Sequence, residues 1–329
     1  INLIMAKVLF INPMVREEED PHHVPMGMAQ LCAIAIKNGH QIQVYDHNAW
    51  RADDATVKKV IESDKWDLIA VGGITTAYSS INKIVKLSKK VFPKVPICLG
   101  GGVLTSIPKE VLTWLPEVDF GFVGEAYKTI IDVLSMIDER KSDWHKIKGL
   151  VVREKNNGFH FTPAQELLKN LDELPYPAFD LFPLEEVYFQ NSKLMYSEQG
   201  MKTTRRLDIN ASIGCSLICK FCYHLGIAGD MRYEKDQNGK VINVSFDEPG
   251  KIGRHIRYNS PEYIVKYAKY HYDKYKINFL YFLDENLMTM DVFSRRTWLK
   301  EICRLWKEAG LVPKKKKRWY MGWNLLVWN

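Results

Sequence analysis

Short apolar runs recur through the first third of the chain at Lys7 to Asn12, Gln41 to Tyr45, Asp67 to Val71, Pro96 to Leu99 and Asp119 to Val123. Runs of this length read as buried strands. Amphipathic segments separate them, the clearest from about Met28 to Lys37, stopped by Asn38-Gly39, and from Ser80 to Val91. Strands that alternate with helices predict a doubly wound parallel sheet of five strands, Rossmann-like, whose ligands bind beyond the carboxyl ends of the strands. Those ends carry Asn12-Pro13, Asp46, Gly72-Gly73-Ile74-Thr75-Thr76, Gly100-Gly101-Gly102 and Gly124-Glu125. None reads Gly-x-Gly-x-x-Gly at the start of a helix, which disfavours a nicotinamide or flavin dinucleotide.

The pattern then changes. Gly149 to Arg153 and Gly158 to Phe161 flank Asn156-Asn157 as a hairpin leading out of the first domain, and Leu171 to Pro183 is punctuated by proline and cannot be helical throughout. Leu207 to Ile213 reads as a strand, Tyr223 to Ile256 as a long loop or small insertion, and Ser260-Pro261-Glu262 as a helix start with serine as the cap. That helix is expected to reach about Tyr272. Asn278 to Leu283 is a strand, Asp291 to Ala309 another helix, and Arg318 to Val327 a third strand. The expected divisions are residues 1–148, a hairpin and connector over 149–204, and a second domain over 205–329.

Cysteine usage points to chemistry. Cys215, Cys219 and Cys222 follow the strand and the break at Gly214 in the spacing Cys-x3-Cys-x2-Cys. Three thiolates this close can hold a four-iron cluster with one iron left open, whereas a closed electron-transfer cluster uses four. With His224 the same stretch also offers four ligands to a structural zinc, so a non-catalytic zinc-binding module remains an alternative. The remaining cysteines, Cys32, Cys98 and Cys303, stand singly in apolar stretches and read as buried packing residues.

Composition narrows the setting. The chain has 329 residues, 46% of them hydrophobic, enough for two domains. No apolar run is long enough to cross a membrane, and the N-terminus lacks the order of a secretion signal, so the expectation is a cytoplasmic protein without a membrane partner. The net charge is +7, of which Lys314 to Arg318 supply five. One basic run without an aromatic-studded basic surface does not predict nucleic-acid binding.

The cysteine spacing, with Phe221 before the last cysteine and a strand ahead of it, resembles the signature of the radical S-adenosylmethionine (SAM) family. The run Ile11-Asn-Pro13, Pro25-Met-Gly27-Met28, Asn38-Gly39-His40 and Tyr45-Asp46, with the triple glycine, Thr105, Pro108 and Gly124-Glu125, resembles the cobalamin-binding domain that precedes many of these enzymes. The connector Leu171 to Pro183 resembles the link between the two domains. The fold implied is a Rossmann-like cobalamin domain followed by a partial radical SAM (β/α) TIM-type barrel.

The resemblance implies a 4Fe-4S cluster on Cys215, Cys219 and Cys222, SAM near Phe221, Asp284 and Glu285, and cobalamin near Asn12, Thr75, Thr76, Gly100, Gly101, Gly102, Gly124 and Glu125. The family commonly continues Gly-Glu-Gly-Glu where this chain has Gly124-Glu125-Ala126-Tyr127. Asp20-Pro-His22-His23-Val-Pro25 approaches the motif that supplies an axial histidine, with Pro25 in place of the glycine; family members also bind cobalamin without one, so the axial ligand stays open. The activity implied is reductive cleavage of SAM to a 5'-deoxyadenosyl radical and methyl transfer to an unactivated carbon of a small-molecule substrate. A reductant such as flavodoxin or ferredoxin would supply electrons. Oxidative cyclisation or rearrangement with the same cofactors is the alternative, as in the anaerobic cyclase of chlorophyll synthesis, which the chain also resembles. Ile1 is not an initiator residue and Met5 precedes the first strand, so residues 1–4 are expected to be upstream translation. The barrel is expected to be cut short after Asn329, and the fragment to hold a cluster without turning over.

Overall fold

The structure, a computed structural model, describes residues 5–155, 158–192, 205–214, 231–238, 241–246, 256–284, 287–311 and 320–323. In the first half, β1 (Lys7–Asn12), β2 (Gln41–Asp46), β3 (Leu68–Gly72), β4 (Ile97–Gly100) and β5 (Phe120–Phe122) pair in parallel in the order β2-β1-β3-β4-β5. Alternate side chains feed two cores. Leu9, Ile11, Ile69 and Val71 pack under the helices Asp54–Glu62 and Tyr78–Val91. Val8, Phe10, Leu68 and Ala70 pack under Met26–Lys37 and Thr129–Asp138. Burial on both faces is why these strands read as continuous apolar runs.

The expected hairpin extends this sheet. Strand β6 (Leu150–Arg153) runs antiparallel beside β5, and β7 (Phe159–Phe161) beside β6, which makes a seven-stranded sheet with an antiparallel edge. Strand order reverses between β1 and β3, and Gly72 pairs with Gly100, so the carboxyl ends lie level at the point where such sheets open a ligand crevice.

The second half contains β8 (Arg206–Ile209), β9 (Ser212–Ile213), β10 (Met231–Lys235), β11 (Val241–Phe246), β12 (Arg257–Tyr258), β13 (Phe279–Phe282) and β14 (Tyr320–Trp323). Strands β8, β13 and β14 pair in parallel in the order β14-β13-β8, joined through the helices Pro261–Tyr275 and Trp298–Glu308. Ser260 caps the first of these helices by accepting from the Tyr263 amide at 3.1 Å. The stretch expected as a loop or small insertion contains the antiparallel hairpin β10-β11.

The helix expected over 291–309 is broken into Met288–Phe293 and Trp298–Glu308. Arg295 and Arg296 turn the chain left-handed between them, at φ 55° and 63°. Ser294 Oγ accepts from the Trp298 amide at 3.0 Å and Asp291 Oδ1 from the Leu299 amide at 3.1 Å, so donors at the new helix start are satisfied locally. The second helix buries Trp298, Ile302 and Trp306 along one stripe, which leaves Cys303 on the outer face. Cys303 is therefore exposed, contrary to the packing role expected for it, whereas Cys32 and Cys98 are buried.

The connector wedges the halves together. Phe179, Phe182, Leu184 and Tyr188 share a core with Val24, Ala29 and Ala49 of the first half and with Leu207, Ile209, Leu280 and Phe282 of the second. Tyr188 also donates its hydroxyl to buried Asp46 at 2.6 Å. No described helix is long and apolar enough to cross a membrane.

The turn after β4 fixes the carboxyl edge. Gly101 has φ +84°, and a Cβ there would sit 2.6 Å from the Gly73 carbonyl oxygen. Gly101→Ala is accordingly expected to destabilise the protein by at least ~1–3 kcal/mol, since backbone rather than a movable side chain must yield. Thermal unfolding checks this, and an unchanged midpoint would contradict the contact.

Candidate functional site

The carboxyl edges of the two parallel sheets face one another across a cavity of about 580 Å³, within the ~300–1,000 Å³ range of small-molecule and cofactor sites. One side is made by the tips of β1, β3, β4 and β5: Asn12, Gly72 to Ile74, Gly100 to Gly102 and Gly124 to Tyr127. The opposite side is Asn210, Ser212 to Gly214 and Leu283-Asp284 from the second half, and Met26 to Met28 close a third side. Phe10, Leu31, Cys98, Phe122 and Ile130 make it largely apolar.

Glycine creates the room. A Cβ on Gly100 would meet Phe122 at 3.8 Å, one on Gly72 would meet the Met28 methyl at 3.7 Å, and one on Gly27 would meet nothing within 4 Å. The backbone is therefore exposed to whatever enters, and a flat, bulky ligand can approach closely. The bare glycine edge and the apolar lining suit the face of a corrin.

Asn12 lines the cavity, but its Nδ2 donates to Asp46 Oδ1 at 2.7 Å. Asp46 also accepts from the Ala49 amide at 3.1 Å and from Tyr188. Burial raises the Asp46 pKa, and these hydrogen bonds act against that shift. Asn12 is thus oriented by a closed network, leaving its Oδ1 free of that contact.

Gly100, Gly101, Gly102, Gly124 and Glu125 also line the cavity. Thr75 and Thr76 stand off it. They are exposed in a 3₁₀ turn, Thr75–Ala77, that carries Thr76 into a separate cleft with His47 and Lys83, while Ile74 takes the place on the rim. His22 and His23 are also outside the cavity. His23 Nδ1 lies 2.8 Å from Asp208 Oδ2 and 2.7 Å from an Arg206 nitrogen, on β8. No histidine lines the cavity among the described residues.

Asp284 ends the strand opposite. Its Oδ2 accepts from the Ala211 amide at 3.0 Å and its Oδ1 from the Ser212 hydroxyl. The backbone amides of Ser212 and Asp284 itself also favour its ionised form. The contacts also anchor β9, which precedes Gly214. Cys215, Cys219, Cys222, Phe221 and Glu285 lie outside the described residues, as does His224. Among the described residues no group of three or more His, Cys, Asp or Glu could hold a metal ion.

Sequence reasoning missed Met26, Gly27, Tyr127 and Asn210 as parts of the cavity. Gly27 carried a signal, being a glycine in the first turn of an otherwise apolar helix. Asn210 and Tyr127 carried none, because only the approach of the two halves brings them to one space.

Comparison with known proteins agrees with this geometry. Residues 15–134 match the B12 binding domain family. The structure resembles the radical SAM methyltransferase TsrM from Kitasatospora setae with cobalamin and a [4Fe-4S] cluster bound, at a TM-score of 0.62 and 13% identity, covering 93% of this chain and 51% of that one. It also resembles the cobalamin-dependent SAM radical enzyme OxsB with aqua-cobalamin and SAM bound, at a TM-score of 0.67 and 15% identity, covering 97% and 38%. The resemblance drawn from the residues is borne out: residues 15–134 match the B12 binding domain family, and the fold is similar to that of solved cobalamin-dependent radical SAM enzymes.

Among curated relatives, the chain is similar to the uncharacterized methyltransferase PH0819 of Pyrococcus horikoshii, 26% identical over 68% of this chain and 44% of that protein. It is also similar to the anaerobic magnesium-protoporphyrin IX monomethyl ester cyclase of Synechocystis, 22% identical over 69% and 44%. The chain thus spans less than half the length of these two relatives.

Burial pushes the Asp284 pKa up to about 6, with the bonds from Ser212 and Ala211 acting in the opposite direction. A folded-state pKa above the unfolded value means that the unfolded chain releases its proton first as pH rises. Asp284 is then expected to contribute most favourably below about pH 4 and to lose on the order of 3 kcal/mol of stability as pH rises through about 6 to about 7. Urea unfolding of the wild type and Asp284→Asn from pH 4 to 7 checks this. The wild type should lose stability relative to the variant as pH rises, and parallel curves would contradict the shift.

Proposed function

We propose that this chain binds cobalamin in the cavity and holds a 4Fe-4S cluster on Cys215, Cys219 and Cys222 at its edge, with SAM beside Asp284, Glu285 and Phe221. One observation carries the reading: two parallel sheets turn their carboxyl ends toward one glycine-cradled cavity, and the chain leaves its rim at Gly214, directly before Cys215. Cys215, Cys219 and Cys222 would hold the cluster, which would supply an electron for SAM cleavage, and the cavity would hold cobalamin, which would supply methyl-transfer chemistry. The protein's own part is positioning and exclusion.

Met28, Phe10, Phe122 and Ile213 wall the cavity against water, and Asn12, held by Asp46, presents a polar edge. Asp284 fixes the approach to the cysteines through Ala211 and Ser212 and brings a carboxylate to the cavity wall near the place proposed for SAM. Gly100, Gly101, Gly102 and Gly124 leave the space that a corrin needs. The substrate is a small molecule, with a flavodoxin or ferredoxin as reductant. Methyl transfer is favoured by the similarity to PH0819 and TsrM, and oxidative cyclisation by the similarity to the cyclases. Product analysis with a labelled methyl donor separates the two.

Gly27→Leu is expected to leave the unfolding free energy within ~0.5 kcal/mol of wild type and to weaken hydroxocobalamin binding at least ten-fold, since a Cβ there meets open space at the cavity lining. Unchanged affinity would mean that cobalamin sits elsewhere. For the cluster, iron, sulfide and zinc are measured after anaerobic reconstitution of the wild type and Cys219→Ala. The expected result is about four irons per chain and a broad visible band that the variant loses. One zinc with no band would sink the radical mechanism.

A further inference from the structure

The side wall of the cavity is tied by a buried ion pair. Glu125 follows Gly124, which turns the chain at φ +77° after β5. Its Oε2 accepts from Arg257 Nη2 at 2.7 Å and its Oε1 from Nη1 at 3.2 Å, and both side chains are only 8% exposed. The peptide of Leu168 completes the knot. Its amide donates to Glu125 Oε1 at 3.2 Å, and its carbonyl accepts from Arg257 Nη1 at 2.6 Å. Three segments distant in sequence, namely the tip of β5, the connector and β12, meet at these two side chains.

Their position gives the pair a consequence for the cavity. Glu125 is in the lining, whereas Arg257 stands behind it and is not among the lining residues. Arg257 belongs to β12, whose ladder with β9 consists of Arg257 opposite Ile213 and Tyr258 opposite Ser212. A two-pair ladder is too short to hold its own place in water. Ser212, Ile213 and Gly214 nevertheless form the wall that faces the glycine tips. The ion pair joins that ladder to the first sheet.

We infer that Glu125 acts on the bound cofactor through Arg257, as a positioning residue that sets the separation between the tip of β5 and β9 and thereby how tightly the cavity grips a corrin. This rests on the cobalamin reading above. Direct ligation by Glu125 is the competing role, and the hydrogen bonds disfavour it. Three of the carboxylate's roughly four acceptor sites are taken, and a bidentate pair buried this deeply is held in one geometry.

The test is a double-mutant cycle on hydroxocobalamin affinity, read by visible absorption, with Glu125→Gln, Arg257→Met and the double variant. Circular dichroism and the cofactor-free thermal midpoint are measured in parallel. Each single change is expected to raise the dissociation constant at least ten-fold, and the double variant to bind no worse than the weaker single, because one interaction is lost in all three. If a single variant does not fold, the double variant, which leaves no unpaired buried charge, is compared with wild type, and a folded protein of unchanged affinity overturns the inference. Arg257→Met binding as tightly as wild type while Glu125→Gln binds weakly would identify Glu125 as a direct ligand and also overturn it. A lowered midpoint with unchanged affinity would reduce the pair to a structural role. A wild type that fails to bind hydroxocobalamin overturns the cobalamin reading itself, a result distinct from all of these.

Discussion

The backbone of Gly101 lies against that of Gly73, and the carboxyl edge of the first sheet is built on this contact. The Gly73 amide donates to the Gly100 carbonyl at 3.3 Å, and the Gly73 carbonyl accepts from the Val103 amide at 3.2 Å. No side chain fits between the two turns, so the chain leaves β3 and β4 at the same level and in fixed directions. Ile74 is thereby set on the rim, and the short helix Gly102–Ser106 follows behind. A shelf of bare peptide remains. An apolar cavity with a peptide floor can admit a broad flat ligand where a floor of side chains would fill itself.

A shelf alone is half a site. The second sheet supplies the other wall, and specific polar ties hold it there. Tyr188 reaches from the connector to Asp46, His23 reaches from the loop after β1 to Asp208, and Glu125 reaches from β5 to Arg257. Each ties the first half to the connector or to the second half beside the shared apolar core. Asp46, Asp208, Glu125 and Arg257 are buried in these ties, where polar groups are costly unless partnered, and the hydrogen bonds they make favour one arrangement of the halves. The division of labour is consistent: apolar surface brings the sheets together, and hydrogen-bonded charges set the register of the cleft between them.

Much of the fold was legible because both faces of the first sheet are covered. Continuous burial produces apolar runs such as Val8 to Ile11 and Leu68 to Val71, and the intervening helices carry their stripe plainly. The Ser260 cap was legible because serine before Pro-Glu satisfies a donor that the helix leaves orphaned. The break at Ser294 to Thr297 was not, because Arg295 and Arg296 have ordinary helix propensity and only the contacts of Asp291 and Ser294 favour the turn there. The exposure of Cys303 depends on the phase of that second helix. The hairpin gave no sign that it would extend the sheet, since the partner of an edge strand is chosen by space and not by its own sequence.

For the site, the sequence by itself determined the chemistry-bearing elements: glycines at strand ends, a proline-punctuated connector, and three closely spaced cysteines after a strand. These are local requirements of backbone conformation and ligand spacing, and local requirements are written in consecutive residues. Only the tertiary structure decided which elements share a cavity. It drew in Gly27, Tyr127 and Asn210, turned Thr75 and Thr76 away, took His23 to Asp208, and spent the carboxylate of Glu125 on Arg257. Those outcomes depend on contacts between residues about thirty to nearly two hundred positions apart, where the competition among partners is settled by packing and desolvation.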